Sequence, residues 1–258
     1  MPRVVHVPPP DTGVYRLARG VNPFAPPDWE YAREDGTFGN RFDDPTASKG
    51  NPPEKRFRAI YCATQRLATF GETLARFRVS SNVLAGLDAI DDQESTEESL
   101  AGAIDPTDRT RGLVSADWRR KRRICHAALG TTTRYADIGN HDTMQYLRSE
   151  LAQLAAEHDI QDVDLSALTS QQRPFTQYCA RHIYTLTDGH GSPLCAGIRY
   201  VSRLDSAWEC WAVFDDRLTH TPGFPANIEA NDEDLLAIAR SFRLTIEVIP
   251  GASTYIRP

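Results

Sequence analysis

The feature that most constrains this 258-residue chain is an ordered run of turn, strand and helix signals between Gly39 and Phe77. It opens G-N-R-F-D-D-P (Gly39–Pro45), a glycine turn followed by an arginine, an aromatic residue and two aspartates. A polar, proline-rich stretch follows. R-A-I-Y-C-A-T (Arg58–Thr64) is then a short apolar run that fits a buried strand, and its threonine can cap a helix. In Q-R-L-A-T-F-G-E-T-L-A-R-F (Gln65–Phe77), Leu67, Phe70, Leu74 and Phe77 fall near one helical face, together with Ala63 just before it. Such a chain builds a strand that feeds a helix. Tyr61 ends the strand's apolar run and Glu72 sits inside the helix, off its apolar face.

The remaining pattern is mixed. Residues 1–57 are rich in Pro, Gly, Asn and Asp, and only Val14–Ala18 reads as a strand. The rest is expected to be ordered loop, because Trp29, Tyr31, Phe38 and Phe42 supply apolar anchors. Helices are expected at Asp142–His158, Pro174–Thr185 and Asp232–Phe242. Gly197–Tyr200 and Glu209–Phe214 read as strands, and the short Arg203–Trp208 link makes them a hairpin. Leu244–Ile249 alternates as a terminal strand. No regular βαβ rhythm runs through these elements, which favours α+β over a doubly wound sheet. No G-x-G-x-x-G occurs, so a Rossmann site is not indicated.

Net charge is −6, which argues against a dedicated nucleic-acid binder. Two charge runs stand out, acidic at Asp88–Glu98 and basic at Arg119–Arg123. Each reads as a solvated face or as an electrostatic surface for a partner. The five cysteines, Cys62, Cys125, Cys179, Cys195 and Cys210, include no C-x-x-C pair, so neither zinc nor a disulfide framework is indicated. No apolar run reaches membrane-span length, and the N-terminus lacks a signal-peptide apolar region. The expectation is a cytoplasmic protein with no membrane partner.

Two further segments complete the polar set: V-Y-R-L-A-R-G (Val14–Gly20) upstream and G-I-R-Y-V-S-R (Gly197–Arg203) downstream. In this order the segments resemble the RES domain, a family named for its arginine, glutamate and serine. The resemblance covers roughly residues 12–80 and 172–216. It implies an ADP-ribosyltransferase-like mixed sheet core with flanking helices, in a single domain. On that reading residues 81–171 are a mid-chain helical insertion, and 217–258 add a terminal helix and strand. It also implies an enzyme that consumes NAD as substrate, needs no metal, and acts as the toxin of a toxin–antitoxin pair, with a small helix-turn-helix antitoxin as partner.

Residue by residue, Arg16 and Arg41 match the family's arginines, Tyr61 its tyrosine, Glu72 its glutamate and Ser202 its serine. Val201 stands where the family more often has proline, and Phe42 where it often has tryptophan. The implied chemistry is cleavage of the nicotinamide–ribose bond, in which a carboxylate stabilises an oxocarbenium-like cation. Glu72 is the candidate carboxylate. Arg16 and Arg41 suit the pyrophosphate, because guanidinium binds phosphate oxygens in pairs. Tyr61 offers a ring to nicotinamide, Ser202 a hydroxyl to phosphate or ribose, and Gly39 a close backbone approach.

Without the resemblance these residues have plainer readings: a solvated glutamate, salt-bridged arginines, a core tyrosine and a turn serine. The acceptor is water or phosphate on the leading reading. The alternatives are a mono-ADP-ribosyltransferase acting on a protein, and a non-catalytic module that binds a nucleotide or an antitoxin.

Overall fold

The computed structural model describes residues 3–79, 112–170, 172–251 and 254–258. The acidic run at 88–98 and the first third of the expected insertion lie outside the described residues. The strands in chain order are β1 (His6–Val7), β2 (Val14–Arg19), β3 (Ala59–Ala63), β4 (Leu113–Val114), β5 (Arg122–Leu129), β6 (Tyr135–Asp137), β7 (Gly197–Val201), β8 (Glu209–Phe214), β9 (His220–Pro222), β10 (Ala226–Asn227), β11 (Thr245–Glu247) and β12 (Tyr255–Ile256). The α-helices are α1 (Arg66–Leu74), α2 (Ala116–Arg120), α3 (His141–Glu150), α4 (Ala152–Glu157), α5 (Leu165–Thr169), α6 (Arg173–Thr185) and α7 (Glu233–Phe242). The class is α+β, as expected, with a mixed sheet and flanking helices. None of the described helices is long and apolar enough to cross a membrane.

The chain divides into two units. The first comprises Met1–Arg16, Phe24–Ala68 and Cys125–Phe224, and the second Leu17–Pro23, Thr69–Ile124 and Pro225–Pro258. In the first, the strand order is β1-β6-β7-β8-β3-β2-β5, with β9 also on β5. β6 and β7 run parallel. β3 lies antiparallel to β8, with Tyr61 opposite Ala212 and Cys62 opposite Trp211.

Successive strand residues point to opposite faces, and here each face has its own core. Ile60, Cys62, Trp211 and Val213 pack on one side with Val14, Tyr135 and Cys125. Ala59, Ala63, Ala212 and Phe214 pack on the other, with Tyr61 beside them. The helices cover this second face through Leu147, Ala155, Leu168, Phe175, Cys179 and Ile183. Burying a large apolar side chain of this kind contributes roughly 1.5–3 kcal/mol. All five thiols are buried, and burial pushes those of Cys62 and Cys195 up to about 12.

Expected and observed elements differ in detail. Asp142–His158 is two helices, because Leu151 takes φ −112° and ψ 20° between α3 and α4. Hydrogen bonding carries on through the bend: Leu151 N–H donates to Leu147, and Ala155 N–H to the Leu151 carbonyl. The two helices therefore stay hydrogen-bonded to one another across Leu151. Leu244–Ile249 contributes only three strand residues, with β12 antiparallel and β4 parallel to it. The hairpin is present as β7–β8, closed by Ser202 N–H donating to the Trp208 carbonyl at 2.9 Å.

The second unit is built on the β12-β11-β4 sheet. Asp232 caps α7 by accepting from Asp234 and Leu235 N–H, and α7 buries Leu235, Ile238 and Ala239. Arg119 is 4% exposed and donates to the carbonyls of Ile228, Glu247 and Val248. The first residue of the basic run is thus an internal strut.

Gly197 gives the hairpin a sharp test. A Cβ there would lie 2.3 Å from the Ala212 carbonyl oxygen and 2.9 Å from Val213 Cα. Both are backbone atoms of the paired strand and cannot swing aside. Gly197→Ala is expected to cost at least about 1–3 kcal/mol, the usual range for overpacking, read as a lower midpoint in urea denaturation. A wild-type midpoint would show that the β7–β8 register is not as described.

Candidate functional site

The Arg41 loop has no regular secondary structure around the arginine, so its backbone groups need other partners. The two aspartates of G-N-R-F-D-D-P supply many of them. Asp43 is 2% exposed and accepts from Phe38 N–H at 2.9 Å and Asn40 N–H at 2.7 Å, and from the Asn40 side-chain amide. Burial raises its pKa, against the opposing pull of those bonds and of Arg173. Asp44 accepts from the backbone and hydroxyl of Thr46 and pairs with Arg181 at 2.8 Å.

The first turns of α6 hold the loop from the other direction. The Thr176 hydroxyl donates to the Arg41 carbonyl at 2.8 Å, and the Gln177 amide donates to the Asn40 carbonyl at 2.9 Å. Phe42 is wholly buried, edge-on to Tyr200 with ring centroids 5.0 Å apart.

Tyr61 joins this loop to β2. Its hydroxyl accepts from Phe42 N–H at 2.8 Å, and its ring lies nearly parallel to Phe42 at 6.5 Å. At its backbone, the carbonyl accepts from Arg16 at 3.3 Å. Burial lifts the phenol well above the usual tyrosine range, with Asp43 adding to the effect. Tyr61 is therefore neutral at ordinary pH and serves as a hydrogen-bonding post.

The two arginines share one feature with Arg56 and Arg119. The Nε of Arg16 and the Nε of Arg41 are buried and meet no hydrogen-bond acceptor among the described residues. No described carboxylate lies within ion-pair distance of either. Arg41 instead lies over the rings of Tyr200, at 5.6 Å, and Phe42, at 5.8 Å. Burial lowers the pKa of Arg16 to about 10, partly offset by Cys62 and Tyr61. A buried cation normally sits beside an anion, because desolvation is costly otherwise. Of these two cations, one is bonded to the Tyr61 backbone and the other lies in the loop that the Tyr61 hydroxyl holds.

No family model, no curated protein and no solved structure matches the sequence.

The other predicted residues lie as follows. Ser202 is 4% exposed at the end of the hairpin strand, and its hydroxyl accepts from Leu204 N–H at 3.0 Å, a turn contact. Glu72 is half-buried on α1, in the part of that helix belonging to the second unit, whereas Ala68 belongs to the first. Arg16, Arg41, Tyr61 and Ser202 all belong to the first unit. Gly39 has φ +73°, and a Cβ there would meet the Arg33 guanidinium at 2.1 Å. Its positive φ serves the turn, and its open side faces the Arg33 side chain. Thr64 does more than punctuate the strand: its hydroxyl donates to Glu209 at 2.6 Å and accepts from the Trp211 indole at 2.9 Å.

Sequence reasoning missed Asn40, Asp43, Thr176 and Gln177 as the supports of Arg41. The Asp-Asp pair after Arg41 was the available signal, since two adjacent acids in a loop with aromatic anchors need donors nearby. It also missed Arg199, which bridges Asp137 at 3.2 Å and Glu209 at 3.0 Å. That arginine is neutralised on both sides, in contrast to Arg16 and Arg41.

Removing the Tyr61 hydroxyl would leave Phe42 N–H without its acceptor, at a cost of about 1–3 kcal/mol if it stays buried. Tyr61→Phe is accordingly expected to lower thermal stability and loosen the Arg41 loop, raising KM for any phosphate-bearing substrate. Unchanged stability and unchanged ligand affinity would mean that the hydroxyl does not hold the loop.

Proposed function

We propose that this protein is an enzyme that binds NAD and cleaves its nicotinamide–ribose bond, with water or phosphate as acceptor. The observation that carries the reading is the pair of arginines without carboxylate partners, Arg16 and Arg41, tied together through Tyr61. A dinucleotide pyrophosphate supplies the missing anions, and guanidinium forks bind its oxygens in pairs. The RES-domain resemblance adds the chemistry: an ADP-ribosyltransferase-like fold, a toxin role and a small helix-turn-helix antitoxin as partner.

In this mechanism Arg16 and Arg41 bind and orient the pyrophosphate. Nicotinamide leaves as a neutral molecule from a positively charged ring, so no general acid is needed for its departure. Positive charge develops on the ribose, and Glu72 is the carboxylate proposed to stabilise it and to hold a ribose hydroxyl. Ser202 is proposed to contact phosphate or ribose through the hydroxyl that also closes its turn.

Arginine loss should act mainly on binding. Arg41→Ala is expected to raise KM at least as much as it lowers kcat, and Arg41→Lys should not restore it fully. Normal NAD binding by Arg41→Ala in calorimetry would remove Arg41 from the site.

Glu72→Gln tests the chemical step. One well-placed electrostatic group contributes roughly 3–4 kcal/mol, about a hundred- to a thousandfold in rate. The expected variant is folded, binds NAD and releases almost no nicotinamide. Chromatography of the products with and without phosphate then identifies the acceptor. Nicotinamide release by Glu72→Gln near the wild-type rate would overturn this mechanism.

A further inference from the structure

The second unit carries a cationic cleft that the proposed reaction does not use. It has a volume of about 520 Å³ and is bordered by Arg19, Arg76, Lys121 and Arg122 over a floor of Phe77 and Trp118. The floor rings meet edge to face at 5.7 Å. Arg76 lies over Phe77 at 4.9 Å, and Arg122 over Trp118 at 4.5 Å. Arg122 also donates to the Trp118 carbonyl at 3.0 Å, which fixes its plane. Among the described residues the single carboxylate lining the cleft, Asp117, lies 3.9 Å from Lys121. No described carboxylate pairs with Arg19, Arg76 or Arg122.

These cations crowd one another. The pKa of Arg122 is lowered to about 10, first by burial and then by the charges of Arg76 and Arg19. Arg76 is lowered in the same direction by burial and by Arg19. Three mutually repelling guanidiniums in a chain of net charge −6 are not a generic basic surface. The basic run of the sequence is also divided by the fold. Arg119 turns inward to carbonyls, while Lys121 and Arg122 line this cleft.

We propose that this cleft binds a small ligand carrying two or more phosphate groups, using Arg19, Arg76 and Arg122. A guanidinium over a ring can present the N–H groups in its own plane that are not already bonded, and such edges match phosphate oxygens in pairs. Three guanidiniums border one cleft, and one phosphate has too little charge to neutralise them. The volume suits a small molecule, since ligand pockets usually span about 300–1,000 Å³. The site uses none of the residues assigned to NAD, so the two readings stand or fall separately.

The test is calorimetric titration of the whole chain with inorganic pyrophosphate and with inorganic tripolyphosphate. Arg19 and Arg76 are exposed, so Arg19→Gln/Arg76→Gln is expected to fold with a near wild-type melting temperature. That double variant should weaken binding by about tenfold or more, as expected for loss of charge-assisted hydrogen bonds. Arg41→Ala should leave binding at this cleft intact. Pyrophosphate and tripolyphosphate binding lost only in Arg41→Ala, or unchanged in the double variant, would overturn the proposal. Binding of heparin without binding of either small phosphate would also overturn it, by making the cleft a surface for long polyanions.

Discussion

The structure around Arg41 depends on the burial of two adjacent carboxylates. Asp43 and Asp44 sit where a loop would otherwise leave backbone N–H groups without partners. Asp43 closes the turn from Phe38 to Asn40, and Asp44 ties the following segment to Arg181. Both are nearly excluded from water. A carboxylate in that position is tolerated only while its donors stay in place, so loop conformation and carboxylate ionisation support each other. Phe42 is carried into the core by the same turn, and Arg41 is left beside it.

Placing cations in such a setting has a cost. Arg16 and Arg41 each have a buried Nε with no described acceptor, whereas Arg58, Arg181 and Arg199 in the same unit all have carboxylates. Arg56 and Arg119 also have a buried Nε with no described acceptor, and both donate to backbone carbonyls through their terminal nitrogens. A fold whose local preferences are otherwise satisfied departs from them at sites that do something. The cluster at Arg19, Arg76 and Arg122 in the second unit is another departure of this kind. There aromatic rings lie under Arg76 and Arg122, and one carbonyl accepts from Arg122. Aromatic faces accept a cation at modest gain, and a phosphate would bind it more strongly.

Period-two alternation in β3 links the site to the core. Ile60 and Cys62 point to one face while Tyr61 points to the helix-covered one, where the Arg41 loop also lies. A slip of one residue would exchange these faces. The Tyr61 hydroxyl would then lose Phe42, and two apolar residues would lose their cores. The five paired residues of β3 and β8 fix the register that prevents this.

Elements set by local pattern were legible in the sequence. The strand around Tyr61, the helix that follows it, the 197–214 hairpin and the 233–242 helix all lie within a few residues of where periodicity and turn signals put them. The order of Arg16, Arg41 and Tyr61 along the chain was also plain in the sequence. Tertiary structure alone decided what they touch. Thr176 and Gln177 support Arg41 across more than 130 residues of sequence, and no local pattern carries a contact of that range. The basic run looked like one face, yet Arg119 became a strut and Arg122 a cleft wall, because helix α2 ends between them and the chain turns into β5. Composition and spacing determined which residues could be cations, aromatics and strands. Which cation found a carboxylate and which did not was decided by packing, since an ion pair depends on distance in space and not on position along the chain.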